Sequence, residues 1–445
     1  MAGETSKLRA KSFPLIVWGM ALLLGLPVII AAIDVSLGAQ TSFVSRLTLW
    51  NEPWSYIGGI TVFIALFDMR RSGHKLSNVG KFYVFTTLFL LVLSIVLSRT
   101  NSAIAASADL HLIRIFLAVS LGYFSYLGML NYQNKFAQGI YFGLILSVLL
   151  LIPFVLFFLF FQEESRALGK ALMWRVPGFG PVRLFGVFVE VGIAVGIGLL
   201  ILQNSKKRNG FLWVALVIMW CMLFWSGSRG AFFSLVLSIS LGSIIFHQHF
   251  LKFWTIFLIS AVIGALLSLL IWVPEGSTFG LKNMLMSSMR EDINSISAGR
   301  LERWLATIDL IKERPFFGYG LSQFSYIWNG FNNIDESRGI TGTLPLYFLS
   351  YRHVHNIVLE AGLSWGIVGA VLFFGMMIKV WFKAFALVRV ERVGLRLPAF
   401  LALNALLFHA NFTGIYIFPH SLFYVAIFFG ICLAPFTAQN KNTSR

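Results

Sequence analysis

The chain has 445 residues, of which 58% are hydrophobic and 16% aromatic, while only 12% are charged. Its mean hydropathy of +0.80 lies far outside the range of soluble domains, so the composition excludes a soluble enzyme and indicates a protein that crosses a membrane repeatedly. The net charge of +17 does not indicate a nucleic-acid-binding protein, because membrane topology and anionic lipid account for the distribution of the basic residues.

Apolar runs recur along almost the whole chain, and a helix needs about 20 such residues to cross a bilayer. We therefore predict an all-α polytopic membrane protein with about twelve transmembrane helices, in which residues 1–445 form a single membrane domain. The predicted spans are 13–35, 53–68, 82–98, 111–131, 138–161, 184–203, 210–226, 230–247, 253–274, 356–382, 398–412 and 415–435.

Lysine and arginine residues concentrate in alternate connections, which predicts the orientation because short basic loops stay on the cytoplasmic side. Basic clusters precede the first span and follow the second, sixth and tenth, whereas the other short connections carry single arginines. Both termini are therefore predicted to be cytoplasmic. This arrangement requires an even number of spans.

The connection between the ninth and tenth spans is long, covers residues 275–355 and is predicted to lie on the outer side. Its stretch GRLERWLATIDLIKERPFFGYG places apolar residues at helical spacing from Leu301 to Ile311, and Pro315 ends the pattern. This spacing predicts an amphipathic helix at the membrane surface.

Arginine and histidine residues collect at the outer ends of the predicted spans. Arg183 opens the sixth span, Arg229 lies in SGSRG, Arg300 lies in SAGR, and Arg352, His353 and His355 precede the tenth span. A guanidinium donates paired hydrogen bonds to phosphate and stays charged when partly dehydrated, and a histidine accepts a proton near neutral pH. Together these residues indicate a reaction at a diphosphate.

A sugar on a lipid diphosphate already carries a good leaving group. The enzyme must neutralise charge on the departing diphosphate and take a proton from the attacking hydroxyl, which arginines and one histidine can do. The chain has no Asp-x-Asp pair of the kind with which membrane glycosyltransferases recruit a metal. We therefore predict a metal-independent reaction that needs no cofactor.

Each of these residues also has a structural interpretation. Arg229 could anchor its helix at the membrane interface, Arg183 and Arg300 could cap helices, and His355 could itself be a helix cap. Arg114 in the fourth span is assigned to helix packing or lipid contact, and Glu360 to steadying the start of the tenth helix. His409 and His420 are interpreted as hydrogen-bonded structural histidines.

The run His355-Asn356, nine residues and Gly366-x-x-Gly369 resembles the motif of O-antigen ligases, within the O-antigen ligase and polymerase superfamily of bacterial membrane glycosyltransferases. Three further segments resemble the family in its own order: SRGAFF at 228–233, GRLERW at 299–304 and RPFFGYGLSQF at 314–324. VRLFGVF at 182–188 resembles an earlier arginine motif of the family.

The resemblance implies a metal-independent, inverting glycosyltransferase of the bacterial inner membrane with a periplasmic active site. It would transfer O-antigen from an undecaprenyl-diphosphate carrier to a sugar hydroxyl of lipid A-core and so complete lipopolysaccharide. His355 would be the general base, and Arg229, Arg300 and Arg183 would bind the diphosphate. Asn356 would orient the histidine or cap its helix, and His353 and Arg352 would support the site.

Two other functions stay open. An O-antigen polymerase of the same superfamily would use the same donor but another lipid-linked repeat as acceptor; the motif spacing favours a ligase. A polysaccharide or lipid transporter is the alternative from a different class. Transporters place their sites near the bilayer midplane, whereas the charges here cluster at one membrane face.

Overall fold

A computed structural model describes residues 19–33, 54–63, 92, 96, 105–161, 175–176, 180–202, 206–273, 279–288, 300–321, 323–324, 327, 353–391, 394–414 and 418–434. The helices in these ranges are α1 (Gly19–Ile33), α2 (54–63), α3 (Ala105–Phe161), α4 (Val182–Leu202), α5 (Lys206–Ser226), α6 (Arg229–Ile245), α7 (Phe250–Ser268), α8 (Leu281–Ser288), α9 (Arg300–Glu313), α10 (Ile357–Glu391), α11 (Arg396–His409) and α12 (Pro419–Leu433).

The predicted all-α class is confirmed, apart from a two-residue antiparallel pairing of β1 (Arg175–Val176) with β2 (Gly180–Pro181) just before α4. Within the described ranges, five helical stretches are long and apolar enough to cross a membrane. A helix lies at each predicted span except 82–98, of which the structure describes only residues 92 and 96. Twelve spans therefore stay a prediction.

Two long helices contain a break. The backbone of α3 leaves helical geometry at Gln133, with φ 42° and ψ −115°, so α3 consists of two helical segments that match the predicted spans 111–131 and 138–161. The backbone of α10 breaks at Gly366, with φ 64° and ψ −171°. The break in α10 falls within the motif that carries the family resemblance.

Helix α4 lies at the centre of the bundle and packs against α3, α5, α6 and α11. Its apolar residues run all round the helix, and its membrane-spanning part is buried throughout. Glycines let the neighbouring helices approach closely: a Cβ at Gly198 would lie 2.6 Å from Pro398 Cα, and one at Gly192 would lie 2.7 Å from Met219 Sδ.

The amphipathic helix predicted in the 275–355 connection is present as α9, which ends just before Pro315. The RPFFGYG segment that follows, residues 314–320, hydrogen-bonds to α10 next to its break at Gly366. The N–H of Tyr319 donates to the carbonyl of Leu363 at 2.8 Å, and the N–H of Gly320 donates to the carbonyl of Ser364 at 2.9 Å. The RPFFGYG segment and the G-x-x-G motif, far apart in sequence, thus form one backbone unit.

Candidate functional site

The site is built around the start of α10. The side-chain Oδ1 of Asn356 accepts hydrogen bonds from the N–H groups of Val358 at 2.9 Å and Leu359 at 3.1 Å. These are the bonds of a helix N-cap, which satisfy amide groups that the first turn leaves open. Asn356 therefore takes the capping role, the second of the two roles considered for it.

His355 precedes this cap in a left-handed conformation, with φ of 63°. Such a conformation is uncommon outside glycine, and strained backbone often marks a functional position. The side chain is half-buried. Its ring centroid lies 3.9 Å from that of His353, and the two ring planes are inclined by 46°.

His353 is buried beside the start of α12. Its ring meets the ring of Phe418 edge-on, with centroids 5.6 Å apart. Gly414 passes directly against the imidazole, where a Cβ would overlap the ring. The two histidine rings thus form a tilted contact in which His353 is enclosed by protein and His355 lies nearer the surface.

Val354, between the two histidines, is held from both sides. Its N–H donates to Oε2 of Glu360 at 3.0 Å, and its carbonyl accepts a hydrogen bond from Nε1 of Trp304 in α9 at 3.0 Å. The predicted role of Glu360 in steadying the helix start is confirmed. Val354 also belongs to a buried apolar cluster that contains Leu310 of α9 and Leu363 of α10.

Arg229 is the first residue of α6 and is half-buried. Its neighbour Gly230 lies against the end of α11, where a Cβ would be 3.0 Å from Nε2 of His409. The next residue of that end, Ala410, accepts a hydrogen bond from the N–H of Ile357 at 3.1 Å. The helix that Arg229 opens and the helix that His355 precedes therefore begin at the same end of α11.

Two of the other predicted phosphate ligands also lie at helix starts. Arg183 is in the first turn of α4, and one turn later Gly186 packs against Ser228, the residue before Arg229. Arg300 is the half-buried first residue of α9, one turn before Trp304. The side chain of Arg183 and the whole of Arg352 lie outside the described parts of the chain.

Helix α3 also approaches this place, and it carries Arg114, which the sequence analysis assigned to helix packing or lipid contact. Nη1 of Arg114 lies 3.3 Å from Nδ1 of His111, and both side chains are buried. His111 is within electrostatic range of His353, and its neighbour Leu112 packs with Ala361 of α10. In the sequence, HLIR at residues 111–114 places a histidine and an arginine one helical turn apart near the end of a predicted span.

His409 and His420, both interpreted as structural histidines, are buried in different surroundings. His409 shares a hydrogen bond through Nδ1 with Oε2 of Glu190 in α4, as expected for a hydrogen-bonded structural histidine. His420 lies within an aromatic group, with its ring centroid 5.6 Å from that of Trp54. Among the described residues, no three histidine, cysteine or acidic side chains are grouped as a metal site. Metal independence stays a prediction.

Comparison with known proteins shows that most of the predicted site residues lie in a region similar to a known family. Residues 214–374 match the family model of O-antigen ligase, and this range includes Arg229, Arg300, His355 and both glycines of the G-x-x-G motif. A curated protein of Rickettsia conorii with the provisional name polysaccharide ligase is 26% identical over 275 residues, 60% of this chain. The match spans 59% of that relative's length. The resemblance to O-antigen ligases is confirmed over the matched region.

Proposed function

We propose that this chain is an O-antigen ligase, which moves polysaccharide from undecaprenyl diphosphate to a sugar hydroxyl of lipid A-core on the periplasmic face of the bacterial inner membrane. One observation carries the proposal: the helices begun by Arg229 and by the His355 segment start together at the end of α11. A proton acceptor and a phosphate-binding cation thus share one end of the bundle.

His355 is the proposed general base. Its imidazole takes the proton of the acceptor hydroxyl while that oxygen bonds to the anomeric carbon of the donor sugar. The bond from that carbon to the diphosphate oxygen breaks, and undecaprenyl diphosphate leaves with the electron pair. A single displacement of this kind inverts the anomeric configuration. No metal or further cofactor takes part in the proposed step.

Arg229, Arg300 and Arg183 are the proposed diphosphate ligands. Each lies within the first turn of a helix, where the amide groups and the helix dipole favour an anion. Charge that develops on the leaving diphosphate is stabilised best by donors already fixed in place. The hydrogen bonds among α9, the histidine loop and α10 supply that rigidity.

The remaining residues support His355. Asn356 fixes the helix start beneath it, Glu360 and Trp304 hold the intervening Val354, and the ring of His353 packs against it. Arg352, next to His353 in sequence, is proposed as a further cation of the site. His353 is given a supporting role because it is buried, whereas His355 is the more accessible of the two histidines.

The test measures transfer by purified protein given an undecaprenyl-diphosphate glycan and rough lipopolysaccharide, with EDTA present. His355→Asn is the informative variant, because asparagine tolerates a left-handed backbone while removing the base. We expect about 10² to 10⁴ times less transfer for it. His353→Asn, in the neighbouring supporting position, is the matched control and keeps measurable activity.

Three other results would each contradict one part of the proposal. Lengthening of lipid-linked glycan without transfer to lipopolysaccharide identifies a polymerase. Undiminished transfer by His355→Asn overturns the assigned base. Loss of wild-type transfer with EDTA, and its return with a divalent cation, overturns metal independence.

A further inference from the structure

A buried pair of ionisable side chains lies just beneath the proposed site. Glu190 of α4 and His409 of α11 are 0% and 1% exposed and share a hydrogen bond. Ionisable groups inside a membrane protein are costly, and those that persist are paired and commonly functional. The proposed chemistry uses neither residue.

His409 lies between the starts of two site helices. On one side, its Nε2 faces Gly230, where a Cβ would come within 3.0 Å. On the other side, the next residue, Ala410, holds the N–H of Ile357 at the start of α10. The carbonyl of His409 also accepts the N–H groups of Phe412 at 2.8 Å and Thr413 at 3.0 Å, so the turn after α11 is fixed as well.

Glu190 connects this junction to the central helix. Gly186, one turn earlier on α4, packs against Ser228, and a Cβ there would lie 2.7 Å from the Ser228 Cβ. Glu190 bonds Nδ1 of His409, and the Nε2 side of the same ring lies against Gly230. Helix α4 therefore holds the chain both immediately before and immediately after Arg229.

We infer that the Glu190–His409 hydrogen bond positions the start of the Arg229 helix relative to the start of the His355 helix. Apolar contacts between helices permit small sliding movements, whereas a buried directional bond fixes their register. The inference rests on the proposed function. Glu190 and His409 act here as positioning residues, because the contacts of this pair reach the starts of the two helices through Gly230, Ser228 and Ile357.

The test compares two substitutions of Glu190. Glu190→Leu removes the bond, and we expect kcat to fall by about 10-fold to 100-fold with a raised KM for the donor, because a small displacement of reacting groups is costly. Glu190→Gln keeps a side chain of the same length that can still hydrogen-bond to His409, and we expect it to retain most of the activity. A merely structural role predicts lower stability with unchanged turnover per folded molecule.

The matched control is Asn404→Leu. It removes another side-chain bond that α11 makes, from Nε1 of Trp381 to Oδ1 of Asn404 at 2.8 Å, which is partly buried and connects α11 to α10. We expect lower thermal stability but wild-type kcat and KM. Gly230→Ala supplies an independent variant, since its methyl crowds His409, and its effect should add little to that of Glu190→Leu.

A distance measurement separates this inference from the proposed function. Spin labels at the exposed positions Phe233 in α6 and Val358 in α10 report the separation of the two helix starts. We expect a broader distance distribution in Glu190→Leu and an unchanged one in Glu190→Gln and Asn404→Leu. An unchanged distribution in Glu190→Leu overturns the inference, whether or not the wild type proves to be a ligase.

Discussion

The two ends of the helix bundle use charge in different ways. At the opposite end from His355, the buried Arg396 donates from Nη1 to Oε2 of Glu391 at 3.0 Å and from Nη2 to the carbonyl of Ala434. The hydroxyl of Tyr141 donates to the carbonyl of Leu395 at 2.6 Å. These bonds join α3, α10, α11 and α12 to one another, so the polar groups there hold the helices together.

At the histidine end, the end that holds His353 and His355, arginines stand at helix starts. Two buried acidic side chains there make hydrogen bonds of their own: Glu190 bonds His409, and Glu360 bonds the N–H of Val354. The backbone is also less regular, with a left-handed His355 and the break at Gly366. Polar groups at one end therefore join the helices, whereas the other end is the one at which we propose that arginines bind the diphosphate.

The sharpest test of this comparison replaces one arginine at each end. Arg229→Gln should lower kcat/KM for the donor by about 10² to 10³, since it removes a charged donor from the developing diphosphate, and should change thermal stability little. Arg396→Gln should lower thermal stability, because it leaves Glu391 without its ion-pair partner, and should leave kcat/KM of the folded protein near wild type.

Both quantities are measured on the same preparations, kcat/KM by transfer assay and stability by thermal unfolding in detergent. The comparison fails if Arg229→Gln is as active as wild type, or if Arg396→Gln lowers kcat/KM as strongly while remaining folded.

The second test concerns the break in α10. Gly366 has positive φ, and a Cβ there would overlap the backbone of Phe316 and Phe317. Gly366→Ala should therefore destabilise the protein by about 1 to 3 kcal/mol and separate the RPFFGYG segment from α10. Because α9 anchors the histidine loop through Trp304, transfer should fall as well.

Gly375→Ala is the control in the same helix, since a Cβ at Gly375 meets nothing within 4 Å. We expect it to unfold at the wild-type temperature and to transfer glycan at the wild-type rate. We call the contacts between the RPFFGYG segment and the break in α10 the interlock. Equal melting temperatures for the two variants would show that the interlock does not stabilise the histidine end.

Periodicity and hydropathy predict most of the fold. The amphipathic spacing from Leu301 to Ile311 locates α9, and the apolar runs locate the long helices, because both signals are local in sequence. The break at Gly366 was not predicted. A glycine within an apolar helix has no local sign of a break, since its conformation depends on a segment about fifty residues earlier.

The candidate site, too, has residues that a local sequence pattern predicts and residues that only long-range packing brings together. His355 and the arginines could be predicted as site residues because they are titratable or charged and lie at predicted membrane ends, and because His355 belongs to the family motif. The contacts of Glu190 and His409 could not be predicted, because the packing of α4 on α11 and of α11 on α6 brings Glu190, His409 and Gly230 together. Such a junction of three helices leaves no pattern in one sequence.

The smallest expected effect concerns Tyr319, in the segment that fills the break. Burial, then the hydrogen bond that its hydroxyl donates to Oε2 of Glu313 at 2.7 Å, raise its pKa from 10.0 to about 12. Because the folded pKa exceeds the unfolded one, the hydroxyl stabilises the fold fully below pH 10.0, and this contribution is lost as pH rises toward about 12. The stability difference between wild type and Tyr319→Phe should therefore be constant in neutral buffer and shrink above pH 10.0. Thermal unfolding of both proteins over this range measures it, and a difference that stays constant would place Tyr319 outside the interlock at the histidine end.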